Sequence, residues 1–176
     1  MKTRKIIFIL ASAISFCFFF PPAESFPLSS MESLRGLKGV EVLVEELSPE
    51  LENFSLTMLQ IQTEVEAKLR TAGIDILSKE ENEQVQPLSK PYLYIKVSSH
   101  KPGARREFIA FNVGIGLNQQ VVRRSLYSGK KCFYATTWYT SLVGIAGRKN
   151  ITDIIDAVKE LTGKFIEAYQ NVNPKQ

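Results

Sequence analysis

A long alternating run in the second half of the chain limits what this sequence can fold into. In residues 107–121, apolar side chains occupy nearly every second position from Ile109 to Val121, and small or polar residues stand between most of them. Alternation with a period of two over such a length predicts a β-strand with one buried face. Two glycines, Gly114 and Gly116, fall inside this run in the spacing G-x-G.

The same G-x-G spacing occurs in loops that bind the phosphates of dinucleotides. That fingerprint needs a third glycine and places the glycines at the start of a helix. Here position 119 is Gln, and Gly114 and Gly116 lie within a predicted strand. Glycine inside a strand typically marks a bulge or the close approach of another backbone. We therefore interpret both glycines as strand features and expect no cofactor.

Two further kinds of periodicity predict the remaining elements. Apolar residues at spacings of three and four predict amphipathic helices over residues 55–72 and from Asn150 onward. Gly73 is predicted to end the first helix, and Ser55 or Thr57 to cap its start. Further predicted strands cover residues 39–47, 74–77, 92–97 and 132–142, and the polar segment 78–91 is predicted to be a loop.

The predicted order of elements is β-α-β-β-β-β-α. Helices with one apolar stripe and strands with one apolar face bury those surfaces best as a two-layer sandwich. We therefore predict an α+β fold in which two helices pack on one face of a mixed β-sheet. The first β-α-β unit should be parallel and the later strands antiparallel.

The amino-terminal residues have the pattern of an export signal. Basic residues at positions 2, 4 and 5 precede an apolar run, Ile6–Phe20, that is shorter than the about 20 residues needed to span a bilayer. We interpret residues 1–25 as a signal peptide, residues 26–36 as a flexible mature N-terminus and residues 37–173 as a single α+β domain. A cut after Ala23, or an uncleaved leader that anchors the protein in the membrane, is the alternative. The predicted location is periplasmic or secreted, with no integral membrane span after leader cleavage.

Charge is unevenly distributed along the predicted mature chain. Residues 26–87 carry a net charge of −7, whereas residues 88–149 carry +10. Either acidic and basic elements neutralise each other within the fold, or the basic part binds an anionic surface or polymer, such as lipid headgroups or a wall polymer. Nucleic acid is a less favoured partner.

The densest basic cluster flanks the predicted turn "SGKK". Arg123 and Arg124 precede the turn, and Lys130 and Lys131 follow its start, so the four should lie side by side across a strand pair. Like charges placed opposite each other in a sheet are destabilising unless acids or an outside anion offset them.

Alternation in the next strand places Trp138 on the same side as Cys132, Tyr134 and Thr136. If this side is uncovered, it presents aromatic groups beside the basic cluster; the alternative is that a second element or a dimer partner covers it. Cys132 is expected to be buried. The predicted binding residues are Arg123, Arg124, Lys130, Lys131, Tyr134 and Trp138.

Few residues suggest catalysis. The sole histidine, His100, falls in a predicted turn, and after leader cleavage Cys132 is the single cysteine, so the usual zinc ligand sets cannot form. Two matches to S-x-x-K, Ser98 to Lys101 and Ser128 to Lys131, have their serines at strand ends rather than at a helix start. We predict that the protein is not an enzyme, with no catalytic or metal-binding residues; a small hydrolase is a less favoured alternative.

Four segments resemble a group of uncharacterised exported bacterial proteins. They are "EVEAKLRTAGI" (64–74), "VGIGLNQQV" (113–121), "TTW" followed by Gly144, and "DAVKELTGKFIEAYQNVNP" (156–174). The element order is also loosely similar to the amino-terminal domain of TolB, an envelope interaction module. The resemblance to exported proteins implies export and the fold. We predict an exported binding module of the bacterial cell envelope with an envelope protein as partner. The alternative is a protein that binds an anionic ligand, acidic lipid or nucleic acid.

Overall fold

The computed structural model describes residues 28–52, 55–100, 108–125, 129–147, 150 and 152–174. The predicted signal peptide, residues 1–25, lies outside the described residues. The elements, in chain order, are α1 (Leu28–Glu32), β1 (Glu41–Val44), α2 (Pro49–Glu52), α3 (Met58–Thr71), α4 (Lys79–Val85), β2 (Tyr92–His100), β3 (Phe108–Ser125), β4 (Gly129–Gly147) and α5 (Thr152–Val172).

Four strands form one mixed sheet in the order β1-β2-β3-β4. β1 pairs with β2 in parallel, and β2–β3 and β3–β4 are antiparallel. α3 packs on β1, α5 packs on β3 and β4, and the two helices contact each other. The predicted α+β fold, with two helices on one face of a mixed sheet, is confirmed.

The segment after α3 differs from the prediction. Residues 74–77 do not form a strand; a single parallel bridge joins Ile76 to Val40. The predicted loop 78–91 contains α4, because Ser78 and Glu81 form a capping box that starts a helix at Lys79. The fold therefore has one strand fewer and one helix more in this region than predicted.

The long helices bury the stripes that their periodicity predicted. In α3, Thr57 is the N-cap and Gly73, with φ of 79°, follows the end. Ile61, Val65 and Leu69 are fully buried there against the sheet and α5. α5 contributes the larger stripe, which includes Ile154, Val158, Leu161, Thr162, Phe165 and Ala168.

Residues near the two ends of the described chain bind each other. The side chain of Asn173 accepts from the Gly36 backbone at 2.7 Å and donates to the Leu34 carbonyl at 2.9 Å. The Tyr169 hydroxyl donates to the Leu37 carbonyl at 3.1 Å. Leu34 is completely buried, so part of the segment 26–36, predicted to be flexible and to precede the domain, belongs to the fold. We call these contacts the terminal clasp.

Gly163, inside α5, faces the side chain of Lys68, whose ammonium donates to the Lys159 carbonyl at 2.7 Å. A methyl group at position 163 would lie 3.3 Å from the Lys68 nitrogen, which ends a flexible chain and can shift. Because alanine is about 1 kcal/mol better than glycine within a helix, we expect Gly163→Ala to raise the free energy of unfolding by about 0.5–1 kcal/mol. Urea unfolding measures this change. A loss of stability in Gly163→Ala that disappears in a Lys68→Ala background would mean that the Lys68 contact requires the glycine.

Candidate functional site

The face of the sheet opposite the helices is largely open. Several large apolar side chains on this outer face are exposed, with Val143 at 74% and Ile145 at 71%. Tyr139 and Phe108 are also more than half exposed. We call Phe108, Tyr139, Val143 and Ile145 the apolar patch. Tyr139, Val143 and Ile145 alternate along β4, so they extend over roughly 20 Å on one face.

Gly114 and Gly116 make room for the ring of Tyr139. Tyr139 lies directly opposite Gly116 in the β3–β4 ladder. A β-carbon at Gly114 would lie 2.6 Å from the Tyr139 hydroxyl oxygen, and one at Gly116 would lie 3.3 Å from a ring carbon. The ring therefore lies along the backbone in the space left by the two glycines. A side chain at either position would occupy that space. Both glycines lie in an extended strand, which confirms the strand interpretation of the G-x-G spacing.

A β-bulge in β4 changes which residues share a face. Leu117 pairs with Trp138, but the next residue, Asn118, pairs with Thr136, so Thr137 has no opposite residue. The Thr137 hydroxyl instead accepts a hydrogen bond from the Gln119 side chain at 2.9 Å. One extra residue reverses the alternation of everything beyond it.

The predicted placement of Trp138 beside Tyr134 on an outer surface is therefore wrong. Trp138 is 1% exposed and packs edge-to-face on Phe165 of α5, with ring centroids 5.3 Å apart. Tyr134, on the other side of the bulge, is 50% exposed and contacts Tyr92 at a centroid distance of 5.7 Å. Of the two aromatic residues predicted for the site, only Tyr134 is accessible.

Beyond the four-stranded part of the sheet, β3 and β4 continue as a two-stranded ribbon. The last partner of β3 on its β2 side is Ser89, whose carbonyl accepts from the Gln120 backbone at 2.7 Å. From there Val121–Ser125 pairs with Gly129–Phe133 alone among the described residues. We call this ribbon, roughly 16 Å long, the hairpin arm. Cys132 lies on it and is exposed, contrary to its predicted burial, because none of the other described elements covers the arm at this position.

The register of the arm pairs basic residues with basic residues. Arg123 lies opposite Lys131, and Arg124 lies opposite Lys130. The predicted side-by-side arrangement is thus confirmed at the level of the backbone; the side chains of these four residues lie outside the described part of the structure. The hairpin itself cannot neutralise them, because the chain has no Asp or Glu between Phe108 and Gly147.

Other basic residues of the segment 88–149 have acidic partners from the segment 26–87. Lys96 binds Glu45 at 3.0 Å, and Lys90 binds Glu83 at 3.2 Å. The hydrogen bond that the Lys96 ammonium donates to Glu45 raises the pKa of Lys96, and burial, reinforced by Glu45, raises the pKa of Tyr94. Neutralisation within the fold therefore accounts for Lys90 and Lys96, whereas the four basic residues of the hairpin arm have no acid on either of its two strands.

The residues considered for catalysis are dispersed. His100 is exposed at the end of β2, while Ser128 and Lys101, from the two S-x-x-K matches, lie outside the described residues. The described residues include no group of three or more His, Cys, Asp or Glu side chains placed to hold a metal ion. Among the described helices, none combines the length and apolar character needed to cross a membrane.

In comparisons with known proteins, no protein-family model matches the chain, and no curated protein matches it. The resemblance to exported bacterial proteins therefore stays an expectation. Two features of the molecule stand out as candidate contact surfaces: the apolar patch and the hairpin arm.

Proposed function

We propose that this protein is an exported, non-enzymatic interaction module of the bacterial cell envelope and that it binds a protein partner through the apolar patch. Export is supported by the basic and apolar pattern of residues 1–25. The observation that carries the binding proposal is the exposure of Val143 and Ile145, each above 70%, on a sheet face with two more exposed aromatic residues. Several large exposed apolar side chains on one face are a feature of interaction sites in soluble proteins.

The chemistry of the patch fits a protein partner. β4 has no charged residue from Tyr139 to Gly147, and the cores of protein interfaces are poor in charge and rich in aromatic residues. Tyr139 is held flat over Gly114 and Gly116, so little side-chain freedom is lost when a partner packs on it. Uncharged β4 residues with a tyrosine ring held in place favour docking of a complementary apolar surface.

We expect Val143→Lys combined with Ile145→Lys to weaken binding of the partner at least about 100-fold, because lysine in a desolvated interface centre carries an unpaired charge. A photo-crosslinking residue at position 143, used in the envelope of the source bacterium, identifies the partner. Titration of the purified partner then gives the ratio of dissociation constants. Both substituted side chains are solvent-exposed, so the melting temperature should change little.

The matched control is Leu59→Lys combined with Val85→Lys, which alters two exposed apolar residues on α3 and α4. This control should bind the partner as the unmodified protein does. If both double variants bind with unchanged affinity, or if a crosslinker at position 59 captures the same protein as one at position 143, the apolar patch is not the binding surface.

A further inference from the structure

We propose that the hairpin arm binds the surface of an anionic phospholipid bilayer. The proposal concerns the opposite end of β4 from the apolar patch and a different class of partner. It rests on the proposed export, which places the protein beside such a surface. Charge, exposed apolar side chains and the position of the arm in the fold each support it.

The first argument is the pairing of like charges. Two cross-strand pairs, Arg123 with Lys131 and Arg124 with Lys130, follow one another in the ladder. Residues directly opposite each other are the closest neighbours in an antiparallel sheet, so like charges there destabilise the ribbon. No acid within the hairpin offsets them. Successive pairs of a ladder belong to opposite faces of the ribbon, so a layer of anionic headgroups that the arm enters supplies negative charge to both pairs and removes that cost.

The second argument separates a bilayer from a soluble polyanion. The arm and its base expose three large side chains next to the basic pairs: Val122 and Phe133 on the arm, and Tyr134 at its base, each between 48% and 53% exposed. Val122 and Phe133 occupy ladder positions of opposite parity, so apolar groups are available on both faces of the ribbon. Aromatic residues beside Lys and Arg are typical of segments that enter the headgroup region of a membrane.

The third argument is where the amino-terminal segment joins the fold. α1 contacts β4, and the Ser33 carbonyl, one residue past the helix terminus, accepts a hydrogen bond at 2.8 Å from the Gln119 side chain near the base of the arm. Eight positions separate Phe20, the end of the apolar run, from Leu28. Such a segment spans at most roughly 28 Å. A leader that occupies the membrane during export therefore holds α1 within that distance of the bilayer.

The experiment uses the predicted mature chain, residues 26–176, which contains every described element and the whole buried core. Binding is measured by co-sedimentation with vesicles of phosphatidylcholine containing about one third phosphatidylglycerol, and with vesicles of phosphatidylcholine alone. We expect binding to the anionic vesicles to be at least about 100-fold stronger, since each basic residue near the surface contributes roughly fivefold. Raising the salt from about 10 mM to about 150 mM should weaken it strongly.

The variant Arg123→Glu/Arg124→Glu tests the arm without unfolding it. It replaces both like-charge pairs by Glu–Lys pairs, which favour the ladder, while the four positions sum to zero charge. We expect anionic-vesicle binding to fall to the level seen with phosphatidylcholine. Lys38→Glu/Lys79→Glu makes the same change in net charge at two exposed positions outside the arm and should retain most of the binding.

Phe133→Ala separates lipid from other anions. It should weaken vesicle binding several-fold and leave binding to soluble polyphosphate unchanged. The proposal is overturned by equal binding to both kinds of vesicle, by equal losses in the two charge variants, or by binding to polyphosphate or DNA without binding to anionic vesicles. Val143→Lys/Ile145→Lys should bind vesicles normally, so failure of the lipid proposal leaves the protein-partner proposal standing, and the reverse also holds.

Discussion

Replacing Trp138 with alanine is expected to lower the free energy of unfolding by about 3–5 kcal/mol. The indole is 1% exposed and packs on the ring of Phe165, which is itself completely buried. Its removal leaves a cavity between β4 and α5 that the surrounding helix and strand can close only in part. Since the free energy of unfolding of a single domain is about 5–15 kcal/mol, this one substitution removes a large part of it. Chemical denaturation and the melting temperature both measure it, and the latter should fall by roughly 10 °C or more.

The matched control for this change is Tyr134→Ala, on the same strand but on the other side of the bulge. Tyr134 is half exposed, so its loss should cost less than about 1 kcal/mol. Without a bulge, strand alternation would place Trp138 and Tyr134 on one face. The two alanine substitutions would then lower the free energy of unfolding by similar amounts. Equal destabilisation by the two substitutions would therefore contradict the register shift at Thr137.

Replacing Gly144 with alanine is expected to destabilise the protein by about 1–3 kcal/mol. Gly144 lies opposite Phe111 in the β3–β4 ladder, and the buried ring of Phe111 occupies the space where a side chain would be. A β-carbon there would lie 2.5 Å from the tip of that ring. The ring belongs to the packed core under the helices, so it cannot move away without displacing its neighbours.

Gly147→Ala provides the control, because nothing lies within 4 Å of a β-carbon built at Gly147. Alanine has less conformational freedom than glycine in the unfolded chain, so this variant should be unchanged or more stable by about 0.5–1 kcal/mol. Phe111→Leu removes the ring that the alanine methyl group would meet. The double variant Gly144→Ala/Phe111→Leu should therefore be more stable than the sum of the two single effects predicts. If Gly144→Ala and Gly147→Ala unfold at the same denaturant concentration, the ring of Phe111 does not fill the space above Gly144.

Periodicity predicted most of the fold because burial imposes it directly. Ile61, Val65 and Leu69 recur at the helical spacing and are buried, and the odd-numbered positions of β3 from Ile109 to Leu117 face the core. These segments are long enough for one pattern to dominate. The paired basic positions on the hairpin arm followed from the same reasoning, since a turn between two long strands fixes which residues are opposite.

The predictions that the structure contradicts concern local features, which the periodicity of the sequence does not reveal. One extra residue, Thr137, reverses the alternation and moves Trp138 into the core, yet "TTW" looks like regular strand. The sequence does not predict α4 because Asn82 is the one buried residue within it, so the helix has no apolar stripe; the Ser78 and Glu81 capping box is its one available signal. The apolar patch was missed because Val143 and Ile145 lie beyond the predicted end of the strand at residue 142.

The terminal clasp has a consequence for how the chain acquires its structure. Asn173 and Leu34 are 139 residues apart, yet each fixes the other in place. A polypeptide that leaves the ribosome, or crosses a membrane, with its amino end first must carry Leu34 and Leu37 in contact with water until residues 169–173 follow. The antiparallel pairs β2–β3 and β3–β4, whose partners are near in sequence, can assemble in that interval. During this delay the amino-terminal leucines are open to chaperones, to proteases and to other unfinished copies of the same chain.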